Sequence, residues 1–310
     1  MVTADEIRKA AEMLRRGRLV AFPTETVYGL GANALDPLAV RRIYEAKGRP
    51  ASSPVIVHVA TVAMARRLAA EWPDEAERLA AKFWPGPMTI VVPKRPDIPD
   101  NVTAGLGTVG IRMPSHPVAL ELIRAAGVPV AAPSANKFAG LSPTTAAHVR
   151  ESLGDSVSMI LDGGACQVGI ESTVVSVAGG HVVVLRPGMI PASEIEAVAG
   201  PLRRYQKQAG GDPAPGMKDR HYSPRTKLVF GVPESGRGVY LYVTEPAERV
   251  MSMAMPNDAA GYAAALYDTL HRLDSQGWDW IGVEPVPDTE EWAGVRDRLQ
   301  RASVGADNPK

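Results

Sequence analysis

The chain has 310 residues, of which 45% are hydrophobic and 22% charged, enough for a sizeable core and, at roughly 100–200 residues per domain, for two domains. Its 34 basic and 34 acidic residues leave no net charge, which argues against a surface devoted as a whole to nucleic acid or membrane. Its one cysteine, Cys166, excludes an internal disulfide framework and a cysteine-based metal cluster.

The first half of the chain alternates helical and strand patterns. Thr3 and Glu6 form a capping box, and apolar residues recur at helical spacing up to Gly17, which predicts an amphipathic helix. Asp36-Pro37 predicts the start of a second helix. Strands are predicted at 18–22, 55–59, 88–92, 109–113 and 128–132, with helical patterns after Thr61, around Asp74–Phe83, after Pro117 and after Pro143. This alternation indicates a mixed α/β sheet.

The second half predicts a hairpin, an irregular segment and a further α/β unit. Strand patterns at 172–177 and 181–186 predict the hairpin, and Ser193 with Glu196 predicts the cap of another helix. Periodicity is then lost for about 20 residues, a length typical of a linker or functional loop. Strand patterns at 226–231, 238–243 and 279–283 alternate with helical patterns near 257–275 and 290–302. We therefore predict a domain over 1–202, a linker over 203–224 and a small Rossmann-like α/β domain over 225–310.

Short sequence motifs do not assign the chain to a familiar class of nucleotide-binding, hydrolytic or zinc-dependent enzymes. Residues 29–34 match the dinucleotide fingerprint G-x-G-x-x-A, but Pro23–Tyr28 separates them from the preceding strand, and Asp36 would place negative charge where a pyrophosphate should bind. We expect these glycines to serve turns and close backbone packing. The chain has no G-x-x-x-x-G-K-[ST], G-x-S-x-G or H-E-x-x-H motif, so covalent catalysis is not indicated.

Cations and hydroxyls follow several predicted strands. They are Lys47, Arg49, Arg112, Ser134, Asn136, Ser142 and Arg186. Any one of them could be a solvated surface charge or a helix cap. Arg112 and Arg186, however, are flanked by apolar strand residues, and a carboxylate or phosphate is the natural partner of such a guanidinium. Ser142 opens a predicted helix as an anion site or a plain cap, and His58 is either a core histidine or part of the same cleft.

Taken together, these stretches resemble a known family. FPTETVYGLGANA, KGRPASSPVIVHV, FWPGPMTIVV, GIRMPSHP, APSAN, SPTT, GIESTVV and LRPG resemble the threonylcarbamoyl-AMP synthase family with its YrdC-type domain, over about residues 5–200. PAPGMKDRHYSPRTKL and the terminal VRDRLQRAS are similar to the long, two-domain members, whereas EEWAG replaces an expected glycine-rich stretch. The resemblance implies an N-terminal twisted mixed sheet with flanking helices and a concave basic cleft, beside the Rossmann-like domain.

The resemblance also implies a reaction and a site. Family members make threonylcarbamoyl-AMP and pyrophosphate from L-threonine, bicarbonate or carbon dioxide, and ATP with magnesium, and other proteins then transfer the group to tRNA. By resemblance, L-threonine is held by Thr26, His58, Arg112, Ala132 and Ser172, with Arg112 binding its carboxylate. ATP is surrounded by Lys47, Arg49, Ser53, Thr108, Ser134, Asn136, Ser142 and Arg186, with Tyr222 of the linker closing over it as a lid. Lys47 and Arg49 are the expected catalytic cations, and no side chain is assigned to a metal.

Two other functions remain open from the sequence. A basic concave face could bind RNA, in keeping with a transient tRNA contact, and a YrdC-type core also occurs in carbamoyl-transfer enzymes. The chain has no apolar run near the roughly 18 residues of a membrane span and no secretory pattern at its start. We therefore expect a cytoplasmic protein without a membrane partner, which works with the downstream tRNA threonylcarbamoyl-transfer proteins.

Overall fold

The computed structural model describes residues 2–203, 205 and 221–304, which form two sheets with flanking helices. The helices are α1 (Ala4–Arg15), α2 (Pro37–Lys47), α3 (Val62–Arg66), α4 (Asp74–Phe83), α5 (Asp100–Thr103), α6 (Pro117–Ala126), α7 (Ala146–Leu153), α8 (Ala192–Ala199), α9 (Ala259–Asp274) and α10 (Ala293–Ser303). Short 3-10 turns cover Gly154–Ser156 and Glu290–Trp292. None of the described helices is long and apolar enough to span a membrane.

The larger sheet has ten strands and mixes parallel with antiparallel pairs, as predicted. Its strands are β1 (Val20–Phe22), β2 (Gly29–Asn33), β3 (Val57–His58), β4 (Met88–Pro93), β5 (Thr108–Arg112), β6 (Val130–Ala131), β7 (Met159–Ile160), β8 (Thr173–Ser176), β9 (Val182–Arg186) and β10 (Leu202–Arg203). Their order across the sheet is β10-β9-β8-β4-β5-β3-β6-β2-β1-β7. The predicted hairpin is confirmed, because β8 and β9 pair antiparallel.

The smaller sheet has four strands, all parallel to their neighbours. They are β11 (Lys227–Phe230), β12 (Gly238–Tyr242), β13 (Met251–Ala254) and β14 (Trp280–Val283), in the order β11-β14-β12-β13. This confirms a second, small α/β unit. The boundaries predicted for the domains stay a prediction, and residues 204 and 206–220 of the predicted linker lie outside the described residues.

Local signals near helix starts are mostly confirmed. Thr3 and Glu6 form the predicted capping box of α1, and Asp36 caps α2. The cap predicted at Ser193 is wrong: α8 begins after Pro191, and the backbone N–H and hydroxyl of Ser193 donate instead to the carboxylate of Glu290, at 3.1 and 2.5 Å. An acceptor from the second unit therefore replaces the local capping partner.

The glycines of the fingerprint-like stretch lie in strand β2, so the turn role predicted for them is wrong. The close-packing role holds at Gly31, where a Cβ atom would lie 2.8 Å from Cε1 of Phe22 and 2.9 Å from Cγ1 of Val130. A side chain at this position would separate β2 from its neighbours β1 and β6.

The two units share an apolar interface. Val27, Leu141, Ile170 and Tyr222 belong to the same buried cluster as the core of the smaller sheet. Gly169 lies so close to α9 that a Cβ atom would come within 2.2 Å of the carbonyl oxygen of Ala263. The carboxyl ends of β5 and β9 thus open near a wall that both units build.

Candidate active site

A cavity lies where several strands of the larger sheet end. It holds about 520 Å³ of space, open to solvent included, and 16 side chains or backbone segments line it. They are Thr24, Thr26, Val27, Gly29, Arg49, Ile56, His58, Arg112, Ala132, Pro133, Ser134, Glu171, Ser172, Arg186, His221 and Tyr222. All five residues predicted to hold L-threonine are among them, together with four of those predicted to surround ATP. Lys47, Ser53, Thr108, Asn136 and Ser142 do not line it.

Arg49 follows α2 and is buried against the turn that precedes β3. Its Nη2 donates to Oγ of Ser53 at 2.6 Å and to the carbonyl oxygen of Pro54 at 2.8 Å, and its guanidinium lies 5.7 Å from the ring centroid of Phe138. Burial lowers the pKa of Arg49 to about 10, which leaves it charged at neutral pH. Ser53 therefore acts behind Arg49, orienting a cation that faces the cavity.

Lys47 is fully enclosed at the end of α2. Its Nζ donates to the carbonyl oxygen of Ser134 at 2.6 Å and, by a short contact, to that of Asn136. Burial and the nearby charges of Arg49 and Lys137 hold the pKa of Lys47 well below its usual range. In this arrangement Lys47 contacts the backbone that carries Ser134 instead of facing the cavity, in contrast to its predicted contact with phosphate.

Arg112 ends β5 and forms a buried ion pair that the sequence did not suggest. Its Nη2 lies 2.7 Å from Oε1 of Glu25, its Nη1 donates to Oγ1 of Thr26 at 2.8 Å, and its Nε donates to the carbonyl oxygen of Gly86 at 3.2 Å. The carboxylate beside Arg112 in the structure is thus that of Glu25. A threonine carboxylate at Arg112 would share the guanidinium with it.

His58 lies beside Arg112, because β3 and β5 run parallel with these two residues in register. Burial, with a smaller contribution from Arg112, lowers the pKa of His58 to about 3, so the ring is neutral at neutral pH. Its Nδ1 has no hydrogen-bond partner among the residues that the structure describes. A buried polar atom in a cavity wall suits a hydrogen bond to a ligand.

The segment after β6 carries Ser134, which lines the cavity, and Asn136, which holds the loop that follows. Nδ2 of Asn136 donates to the carbonyl oxygens of Lys137 and Gly140, both at 2.8 Å. The helix predicted to open at Ser142 begins later: Thr145 caps α7, and Oγ of Ser142 donates to the carboxylate of Glu171. Ser142 is therefore not a helix cap, and this position is not a helix N-terminal anion site.

Ser172 and Arg186 meet at the ends of the hairpin. Nη2 of Arg186 donates to the carbonyl oxygen of Ser172 at 2.9 Å, and the hydroxyls of Ser172 and Thr89 lie 2.8 Å apart. Thr108 lies at the other end of β5, where it pairs with Pro93 of β4. It is four residues before Arg112, which is about 13 Å along the strand. The structure does not bring Thr108 to the cavity.

Tyr222 closes one side of the cavity from the end of the predicted linker. It is buried and adopts a φ of 60°, a left-handed conformation that is uncommon outside glycine. Nη1 of Arg186 donates to its hydroxyl at 3.4 Å, and its ring lies 4.1 Å from that of His221. Burial lowers the pKa of His221 to about 3 and, with the charge of Glu171, raises the pKa of Tyr222. Two aromatic rings therefore cover one side of the cavity, beside its cations.

Comparisons with known proteins fit this geometry. The family model described as Telomere recombination matches residues 12–188, and the one described as Threonylcarbamoyl-AMP synthase, C-terminal domain, matches 190–304. The chain belongs to the threonylcarbamoyl-AMP synthase family. Synthases of this family from Bacillus subtilis and Pyrococcus abyssi are 43% and 42% identical to it, over 97% and 96% of this chain and 93% and 94% of theirs.

A solved structure of a threonylcarbamoyl-AMP synthase relative agrees over almost the whole chain. P. abyssi Sua5 complexed with L-threonine superposes with a TM-score of 0.92 at 41% identity, over 98% of this chain and 95% of that one. The resemblance inferred from the sequence motifs is confirmed, as is the two-unit fold.

Seven lining residues of this threonylcarbamoyl-AMP synthase family member were not predicted. They are Thr24, Val27, Gly29, Ile56, Pro133, Glu171 and His221. Four of them, Val27, Pro133, Glu171 and His221, directly adjoin a predicted residue, so neighbourhood within the motifs was the available signal. The partners of Glu171 had no such signal, because Arg298 and Tyr267 lie far away in sequence.

Proposed function

We propose that the cavity binds L-threonine and ATP side by side and, with bicarbonate or carbon dioxide, forms threonylcarbamoyl-AMP and pyrophosphate. The observation that carries this proposal is the convergence of three buried guanidinium groups, of Arg49, Arg112 and Arg186, with the neutral imidazole of His58 on one cavity. Guanidinium groups suit the carboxylate of one substrate and the phosphates of the other. The relative from P. abyssi was solved in complex with L-threonine.

The threonine subsite would lie at the ends of β3 and β5. Arg112, oriented by Glu25 and by Oγ1 of Thr26, would bind the substrate carboxylate. The unpartnered Nδ1 of His58 and the Ser172 hydroxyl would bind its polar groups, and the Ala132 backbone would complete the wall. A buried site with hydrogen-bonding groups of this kind discriminates well against analogues that lack the matching polar group.

The nucleotide subsite would lie between Arg49, Arg186, Ser134 and Tyr222. Ser53 orients Arg49, Lys47 holds the backbone carbonyl of Ser134, and Asn136 holds the loop after it. Direct contacts of Lys47, Thr108, Asn136 and Ser142 with ATP have no support in this arrangement of the cavity.

The reaction needs positioning and charge stabilisation. The threonine amine captures carbon dioxide and loses a proton to give a carbamate, one oxygen of which attacks the α-phosphorus as the bond to pyrophosphate breaks in line. Arg49 and Arg186 would stabilise the negative charge that develops on the phosphoryl oxygens. Bound Mg²⁺ would neutralise charge on the phosphates, and since it is usually held through substrate phosphates, it would arrive with ATP.

The described residues contain no group of three His, Cys, Asp or Glu side chains that could hold a metal ion. The segment 203–224, between domains 1–202 and 225–310, would act as a lid through Tyr222 and protect the mixed anhydride from water. The product would pass, in the cytoplasm, to the proteins that transfer the threonylcarbamoyl group to tRNA.

Pyrophosphate release from ATP tests this proposal directly. We expect release by the full chain that requires both L-threonine and bicarbonate, and almost none when either is omitted or when valine, which lacks the hydroxyl, replaces threonine. Release that does not depend on threonine would contradict it. Binding of RNA with a steep salt dependence, without any such release, would support the RNA-binding alternative.

A further inference from the structure

Glu171 is a buried carboxylate in a cavity that otherwise attracts anions. It directly precedes Ser172, lines the cavity and is only 7% exposed. Its Oε2 accepts hydrogen bonds from Nε of Arg298 at 2.7 Å and from the Tyr267 hydroxyl at 3.2 Å, and its Oε1 accepts one from Ser142. The reaction proposed above gives this carboxylate no role.

Arg298 reaches this site from α10 of the smaller α/β unit. Its side chain is 0% exposed. Besides Glu171, it donates to the carbonyl oxygen of Pro187 at 3.1 Å and to Oδ2 of Asp297 at 2.6 Å, and its guanidinium lies 5.0 Å from the ring centroid of Tyr222. One side chain of the second unit thus contacts Glu171 in the cavity wall, Pro187 at the end of β9 and the ring of Tyr222.

The charge of Glu171 needs this partner. Burial alone would raise the pKa of Glu171, but Arg298 and Arg186, together with the Ser142 hydroxyl, hold it below its usual value, so the group is an anion at neutral pH. An anion in the wall repels nucleotide phosphates and attracts the guanidinium of Arg186. The positive charge of Arg186 is already among those that lower the pKa of Glu171. A buried charge pair loses most when only one partner is removed, because the other is left uncompensated.

We propose that Arg298 is a positioning residue of the active site: it neutralises Glu171, keeps that carboxylate from drawing Arg186 away from the nucleotide, and so makes docking of the second unit a condition for ATP binding. The inference rests on the proposed use of the cavity for ATP. It assigns the second unit a part in substrate binding beyond covering the cavity.

A double-mutant cycle that neutralises each charge tests the proposal on the full chain, with the dissociation constant of ATP measured by calorimetry. Arg298→Met should weaken ATP binding by roughly tenfold or more, as expected for a buried charge left without its partner. Adding Glu171→Gln to that variant should recover most of the loss, because the uncompensated anion is gone. The control is Arg296→Met, two residues away on α10, whose side chain pairs with the 94% exposed Asp288; it should change ATP binding less than twofold.

A purely structural role for Arg298 gives a different result. The double variant would then bind ATP no better than Arg298→Met alone, and that outcome would overturn the proposal, as would wild-type affinity in Arg298→Met. If Arg298→Met does not fold, the ATP affinity of Glu171→Gln tests the proposal instead. In that variant Asp297 still pairs with Arg298, so ATP should bind at least as tightly as to the wild type. Weaker binding would overturn the proposal.

The failure of this inference can be told from the failure of the proposed function. A wild-type protein that binds ATP but releases no pyrophosphate with L-threonine and bicarbonate would contradict the proposed function alone. A wild-type protein that releases pyrophosphate, combined with an Arg298→Met variant that binds ATP normally, would contradict the inference alone.

Discussion

Replacing Arg49 with alanine removes a buried cation from the proposed nucleotide subsite. Three hydrogen bonds, from Nε and Nη2 to Ser53 and Pro54, fix the guanidinium, whereas its Nη1 makes none within the described residues and can serve the ligand. Loss of a donor aimed at developing charge typically costs about 2.7–4 kcal/mol. We therefore expect kcat/KM for ATP to fall by about 10²–10³.

The same substitution should also lower stability. The carbonyl oxygen of Pro54 loses its donor, whereas that of Ser53 keeps the Tyr44 hydroxyl, and a buried acceptor left unpaired costs about 1–3 kcal/mol. Kinetics of pyrophosphate release and urea unfolding of the same samples separate the two effects. Arg49→Lys keeps the positive charge but loses the planar guanidinium with its paired donors, so its kcat/KM should lie between those of the alanine variant and the wild type.

Arg41→Ala is the matched control, since Arg41 lies on α2 with its side chain 66% exposed. It should change kcat/KM less than twofold, as surface substitutions usually do. A value of kcat/KM near that of the wild type in folded Arg49→Ala would refute the assignment of Arg49 to the phosphates.

Three further changes test other parts of the site. Glu25→Ala leaves the buried guanidinium of Arg112 without its countercharge and should lower the free energy of unfolding by about 3–5 kcal/mol in urea titrations; a loss below about 1 kcal/mol would show that the pair is not needed. The pKa of His58 is lowered to about 3 in the folded state, so as pH falls from about 6.5 towards 3 the unfolded state takes up the proton first and the free energy of unfolding decreases. His58→Gln should make that decrease shallower by about 1.4 kcal/mol per pH unit. An unchanged slope would argue against a buried neutral ring. Tyr222→Ala should admit water and so lower the yield of threonylcarbamoyl-AMP per pyrophosphate released. Tyr222→Phe keeps the ring and loses only the contact with Arg186, so it should keep most of that yield. Equal yields in the wild type and the alanine variant would speak against a lid.

Sequence patterns predicted the framework well where the cause is local. The capping box of Thr3 and Glu6, the αβ alternation and the hairpin of β8 and β9 depend on residues close together in the chain, so their signals survive without any knowledge of the fold. Ser193 shows the limit of such signals. Its predicted local cap is replaced by Glu290, 97 positions away, because a distant acceptor offers two hydrogen bonds at once.

The site was predictable as a set of residues but not as a set of contacts. The motifs placed Thr26, His58 and Arg112 together, as the cavity has them. They could not show that Glu25 would occupy one side of Arg112, nor that Lys47 would turn towards two backbone carbonyls. Residue type indicates which partner a cation can take, while the fold decides which partner it meets.

Partners from the second unit were the hardest to foresee. Arg298 and Glu171 are 127 positions apart and pair only because α10 docks on the end of the hairpin. Neither residue carries a motif of its own that points to the other. Charge compensation inside a cavity has to be read from the folded chain.

Mass spectrometry with ¹³C-labelled bicarbonate tests the central claim most directly. Incubated with ATP, L-threonine and the labelled bicarbonate, the full chain should form threonylcarbamoyl-AMP that is one mass unit heavier than the product from unlabelled bicarbonate, in amounts equal to the pyrophosphate released. Pyrophosphate release accompanied by AMP alone, or a product without the label, would contradict the proposed synthesis.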